Sequence, residues 1–231
     1  MALKVVSLCG YLCNISIPWR KGAGGDHDAH DWIQALKGKH FKGYAQVPVC
    51  GRLHRLTDEN ASDAIQWFGE VATAYLAEEK ITRPLVIIPV PNSSSLIDST
   101  AKPRTRKLAN AIAEHLVNSS GIVLDCLRFR QNQGSASSQG GPREAARIYK
   151  NLVVLRDEVA EFLEDVEDGE EYHVLLVDDV TTSGGHLRAC AARLKRAGIE
   201  VDLVICGGKT VYDQSKGAFD IREEELEEYK P

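Results

Sequence analysis

Two periodicities divide this chain. Short unbroken apolar runs, chiefly Leu85-Val86-Ile87-Ile88 and Val174-Leu175-Leu176-Val177, have the composition of strands buried on both faces. Leu3 to Leu8, Tyr44 to Val49 and Val201 to Cys206 read as further strands. Between them the apolar positions recur at helical spacing. Ala61, Ile65, Phe68, Ala72, Tyr75 and Leu76 predict a helix over 58–79, with Asp58 or Asn60 available as its cap. Leu108, Ile112 and Leu116 predict one over 106–116, and Leu187, Ala191, Leu194 and Ala197 another directly after the 174–177 strand. Gly22 to Asp31 reads as a long polar connection. Ile221 to Tyr229 is so acidic that a solvated helix or frayed tail is expected. Strands alternating with helices predict an α/β fold with a mainly parallel twisted sheet flanked by helices, whose ligands bind beyond the carboxyl ends of the strands.

The length of 231 residues fits a single domain spanning 1–231. A net charge of −5 argues against a general nucleic-acid surface. There is no apolar run of ~18 residues, so no membrane span is expected. The opening hydrophobic stretch is too short for a secretion signal, and a cytoplasmic location is the expectation. The six cysteines include no Cys-x-x-Cys pair, so reduced and mostly buried thiols are expected. The segment Asp26-His27-Asp28-Ala29-His30-Asp31 has some metal-ligand character but reads better as a solvated acidic loop.

The chemistry gathers where the 174–177 run ends. Asp178 and Asp179 are delivered side by side into Thr181-Thr182-Ser183-Gly184-Gly185-His186, and a helix follows at once. The hydroxyls and the glycine backbone form an anion cradle at a helix N-terminus, while the acidic pair suits sugar hydroxyls or a hard cation. After the 85–88 strand, Pro89 and Pro91 frame Asn92-Ser93-Ser94-Ser95, whose amides and hydroxyls suit a second anion. Lys102, Arg104, Arg106 and Lys107 follow as a basic cluster suited to a polyphosphate. The Gly- and Ser-rich stretch 131–142 has a flexible composition and is bracketed by Arg128, Arg130, Arg143, Arg147 and Lys150. It reads either as a loop that closes over a phosphorylated ligand or as a surface linker.

These residues resemble the phosphoribosyl diphosphate signature of the type I phosphoribosyltransferases, and the Arg-rich flanks with Asn151 faintly resemble the competence-associated branch of that family. The resemblance covers about 85–95 and 174–197. It implies a phosphoribosyltransferase-like core with a small hood, to which approximately 1–55 and 205–231 contribute. It further implies a magnesium-dependent enzyme of nucleotide metabolism that moves a 5-phosphoribosyl group from phosphoribosyl diphosphate to a nitrogen acceptor, a nucleobase or related ring, and releases pyrophosphate. Carried over by position, Asp178 and Asp179 hold the ribose hydroxyls and Mg2+, Thr181 to His186 wrap the 5-phosphate, and Asn92 to Ser95 grip the diphosphate. Arg143 and Arg147 belong to the catalytic loop, and Lys209 contacts an exocyclic oxygen or a phosphate. A homodimer is left open. The sequence departs from the family pattern at Thr182, where enzymes acting on 6-oxopurines carry an acidic residue, and at Ser183 and His186, where threonine is more usual. The alternative is a non-catalytic regulatory protein that binds phosphoribosyl diphosphate or a nucleotide.

Overall fold

The computed structural model describes residues 2–12, 25–117, 119–132, 144–165, 171–212 and 216–231. In chain order the elements are β1 (Ala2–Ser7), β2 (Gly10–Tyr11), α1 (Gly25–Leu36), β3 (Tyr44–Val49), β4 (Arg52–Thr57), α2 (Asp63–Glu78), β5 (Leu85–Pro89) and α3 (Thr105–His115). They continue with β6 (Gly121–Val123), β7 (Leu127–Phe129), α4 (Ala145–Asn151), β8 (Leu152–Val154), α5 (Arg156–Asp165), β9 (His173–Thr181), α6 (Gly185–Arg196), β10 (Leu203–Thr210) and β11 (Arg222–Glu227).

The main sheet has the order β11-β1-β10-β9-β5-β6, with β2 added beside β10. Every pairing among β1, β10, β9, β5 and β6 is parallel, and β11 runs antiparallel to β1. The apolar runs are continuous because both faces are covered. Ile87, Leu175, Val177 and Ile205 meet α1, α2 and α3 on one face. Their neighbours Val86, Ile88, Leu176 and Val204 meet α5 and α6 on the other. Burial of alternate residues into two apolar layers leaves no polar position from Leu85 to Pro89 or from Val174 to Val177.

This topology creates a crevice. From β5 the chain crosses through α3 to β6 on one side, and from β9 it crosses through α6 to β10 on the other. The two helices lie on opposite faces, so β5 and β9 part at their carboxyl ends, where open α/β sheets take their ligands.

Four expectations change. Most of the stretch read as a polar connection is α1: Ala29, Trp32, Ile33 and Leu36 form a buried stripe that the flanking Asp and His residues conceal. Helix α2 begins at Asp63, because Asn60 turns back to accept Thr57 N–H at 2.6 Å rather than capping a helix. The acidic C-terminal stretch is strand β11. Its carboxylates are dispersed among partners, with Glu223 accepting from Tyr75 Oη at 2.7 Å and Glu224 from Lys209 Nζ at 2.6 Å, while Leu226 packs on the α6 layer. The strand read as ending at Cys206 continues to Thr210, and the strand read as ending at Val177 continues to Thr181. Residues 203–210 and 222–227 therefore sit in the main sheet, and α1 with the antiparallel β3–β4 hairpin lies outside it.

Candidate functional site at the carboxyl ends of β5 and β9

Asp178 and Asp179 precede the last two residues of β9 and face opposite sides of the sheet, as strand alternation requires. Asp178 lies among the thiols of Cys190 and Cys206, and its Oδ1 accepts Asp179 N–H at 2.8 Å. Burial, with the neighbouring Asp179 charge second, holds its carboxyl well above the usual range. Asp179 faces the α1 side. Its carboxylate accepts from the guanidinium of Arg104. Lys37, just beyond α1, adds a second cation nearby. Burial lowers its pKa, the Asp179 charge opposes that shift, and its ammonium stands 4.8 Å from the Tyr11 ring centroid.

Close approach of α1 depends on a missing side chain. A Cβ at Gly207 would come 2.5 Å from Leu36 Cδ1 and 2.8 Å from the Asp179 carbonyl oxygen. Glycine therefore lets the end of α1 settle beside the acidic pair.

The cradle after β9 is partly engaged within itself. Thr182 and Thr210 share a hydroxyl hydrogen bond of 2.9 Å, and Ser183 is exposed. Thr181 Oγ1 is buried with no hydrogen-bond partner among the described residues, which leaves a donor and acceptor for a ligand. Gly184 adopts φ +70° to start α6, and Leu226 closes the outer side of the turn against it. Helix α6 starts at Gly185, and the His186 ring lies 5.7 Å from that of Phe129. Lys209 stands beside Thr181 in register but holds Glu224.

On the β5 side, Asn92 organises the serine loop. Its Oδ1 accepts from Ser94 N at 3.2 Å, Ser94 Oγ at 2.9 Å and Ser95 Oγ at 2.7 Å, while Ser93 is half-buried. The next helix is docked by Thr105 Oγ1, which donates to Val90 O at 2.6 Å. That bond fixes the start of α3, and with it Arg104, beside the crevice. No cis peptide bond occurs among the described residues.

Arg143 lies outside the described residues. Arg147 is exposed on α4 and lines a cleft of about 570 Å³ with Arg130, Lys150 and Asn151, to which neither the acidic pair nor the serine loop contributes. Asn151 pins the base of this region: its Oδ1 accepts Gln131 N–H at 3.0 Å and its Nδ2 donates to Gln131 O at 2.7 Å.

The structure thus brings together Asp178, Asp179 and Thr181 to His186 on β9 and α6, beside Asn92 to Ser95 on the adjacent strand end. Sequence reasoning missed Lys37, because the helix carrying it was hidden. It recognised the cations at 102–107 as a group without singling out Arg104, whose contact with Asp179 spans 75 residues of sequence.

No protein family and no curated protein matches the chain. Among solved structures, a hypoxanthine phosphoribosyltransferase from Staphylococcus aureus is similar in two crystal forms. The tetragonal form is 14% identical over 68% of this chain and 78% of that one, with a TM-score of 0.31. The orthorhombic form is 17% identical over 68% and 79%, with a TM-score of 0.30. Among the described residues no helix is long and apolar enough to cross a membrane, and no group of three or more His, Cys, Asp or Glu could hold a metal ion.

Proposed function

We propose that the protein is a phosphoribosyltransferase that moves the 5-phosphoribosyl group of phosphoribosyl diphosphate onto a nitrogen acceptor and releases pyrophosphate. The observation that carries the reading is the convergence, at the point where the β5 and β9 crossovers diverge, of an acidic pair, a hydroxyl-and-glycine turn starting a helix, and a serine loop. A sugar with a phosphate at one end, a diphosphate at the other and a diol between them matches that order of groups.

In this reading Thr181 to His186 bind the 5-phosphate through hydroxyls and helix N-terminal amides. Asp179 accepts from a ribose hydroxyl, and Asp178 supports its backbone position through the bond to Asp179 N–H. As the bond to the departing diphosphate breaks, the ring gains oxocarbenium character and the acidic pair tolerates that charge. Asn92 to Ser95 and the cations at the start of α3 receive the leaving group. Two carboxylates, one of them held toward the protonated form, fit magnesium carried in by a diphosphate and do not fit an ion held by protein groups alone. When bound, that ion would neutralise charge on the departing diphosphate. Arg143, which precedes α4 in sequence, and Arg147 on α4 are proposed to act on the bound donor, and Lys209 to reach a ligand oxygen on release from Glu224. Our candidates for the hood are α1 and the β3–β4 hairpin, which offers exposed Tyr44 and Leu53 outside the main sheet. Thr182, a poor general base, disfavours 6-oxopurines as the acceptor.

Incubation with phosphoribosyl diphosphate, magnesium and a panel of nucleobases, nicotinamide-like rings and amines should release pyrophosphate with at least one acceptor. Absence of release from folded protein that binds the donor overturns transferase action. The second reading, a regulatory protein that binds without turnover, is favoured by the Arg104 contact that already engages Asp179. Calorimetry showing tight binding with no product supports it, and sustained turnover removes it.

A further inference from the structure

Arg104 stands across the crevice rather than beside it. Its backbone precedes α3, docked at the end of β5 through Thr105 and Val90, while its guanidinium reaches Asp179 on β9. The side chain therefore links the two halves of the site over the point where the strands part. It is 34% exposed, against 11% for the Asp179 side chain. Its Nε is buried with no hydrogen-bond partner among the described residues, so the planar fork is only partly used. A buried unsatisfied donor on a charged group is costly, and an arrangement that satisfied it would be favoured over this one.

We propose that Arg104 is an exchangeable counter-ion and a positioning residue for the donor: it covers Asp179 in the free protein and turns to the diphosphate when the donor enters, as the ribose diol takes its place on Asp179. The proposal rests on the phosphoribosyl reading above and adds to it an order of events. The acidic pair is closed until a ligand arrives that carries both a diol and a second anionic group on the β5 side. The fork suits this exchange because guanidinium pairs bidentately with carboxylate and phosphate alike. Lys37 remains near Asp179 in both states, so the carboxylate keeps one cation nearby when Arg104 leaves.

Two ligands separate this exchange from a general attraction between Arg104 and anions. Ribose 5-phosphate has the diol and the 5-phosphate but no diphosphate, so it must displace Arg104 from Asp179 without giving the guanidinium a new partner. Phosphoribosyl diphosphate supplies that partner. Binding of each, the latter with magnesium, is measured by calorimetry to the full chain and to Arg104→Met, which keeps the length of the side chain and removes its charge. The expected result has opposite signs. Ribose 5-phosphate binds the variant at least threefold more tightly than the wild type, on the order of the closure constraint removed. Phosphoribosyl diphosphate binds it about tenfold or more weakly, the loss of a charged hydrogen bond. Arg104→Lys, which keeps a charge but not the fork, falls between the two and keeps the test readable if the methionine variant melts early.

Ribose 5-phosphate that fails to tighten, or phosphoribosyl diphosphate that fails to weaken, overturns the exchange while leaving the phosphoribosyl reading standing, provided the wild type binds both. Wild-type protein that binds neither ligand overturns the reading and the exchange together.

Discussion

Two aspartates stand at the carboxyl ends of strands on either side of β5, each paired with an arginine, and the pairs differ in every respect that matters for exchange. Asp125, just after β6, meets Arg128 three residues on; both side chains are almost fully buried, and the guanidinium donates to Oδ1 at 2.6 Å and Oδ2 at 3.1 Å. The same guanidinium also reaches the carbonyls of Asp125 and Leu127, and Arg106 adds a single hydrogen bond to Asp125 Oδ2 at 3.2 Å. Asp179 meets Arg104 from 75 residues away, through a side chain one-third exposed and with a donor left over. The first pair is local, saturated and dry, so removing either partner strands a buried charge. The second bridges two strand ends that a ligand would occupy. Saturation distinguishes an ion pair that holds a loop from one that can trade its partner.

That contrast is broken or sharpened most strongly at Arg128. Arg128→Met leaves Asp125 without its fork and should lower unfolding free energy by about 3–5 kcal/mol, whereas Arg104→Met should cost no more than about 1 kcal/mol. Chemical denaturation of both variants checks this, and equal losses would erase the distinction. Next in size is Asp179→Asn, which keeps the shape and removes the charged acceptor. It should fold normally yet lose about 2–4 kcal/mol of transition-state stabilisation, seen in steady-state pyrophosphate release. Gly207→Ala tests whether the approach of α1 supports the site. The added methyl meets Leu36 and the Asp179 carbonyl and should cost about 1–3 kcal/mol in a thermal or urea melt, with weaker donor binding as the strand end shifts.

The smallest expected effect carries a sign of its own. Asp178 is held above its ordinary value of 3.8 by burial. A carboxyl raised in the folded state contributes fully only below its unfolded pKa, and that contribution is lost as pH rises through the folded one. Asp178→Asn keeps an acceptor for Asp179 N–H and has no proton to lose, so it should raise the neutral-pH melting temperature by roughly 2–4 °C. The gain should vanish toward pH 3, where both proteins carry a neutral group. A melting curve lowered at neutral pH would show that the ionised form is the one stabilised there.

Much of the fold is legible in the chain because burial writes its own periodicity. The runs at 85–88 and 174–177 require two covered faces, and helical spacing at 187–197 follows directly after the acidic pair. The hidden elements are those whose partners lie far away in sequence. Helix α1 alternates Asp and His with its buried stripe, and β11 carries glutamates of which Glu223 and Glu224 find Lys4, Tyr75 and Lys209 as distant partners. No local pattern announces such compensation.

The candidate site divides along the same line. The sequence by itself determined the adjacent carboxylates, the hydroxyls, the paired glycines and the serine loop, because each depends on residue type and near-neighbour spacing. Only the tertiary structure decided that the loops after β5 and β9 are neighbours, that Asp178 is driven toward its neutral form among buried thiols, and that Arg104 rather than any other nearby cation lies on Asp179. Strand order, desolvation and the pairing of distant charges are properties of the packed chain, since each is set by groups that meet only after the sheet has formed.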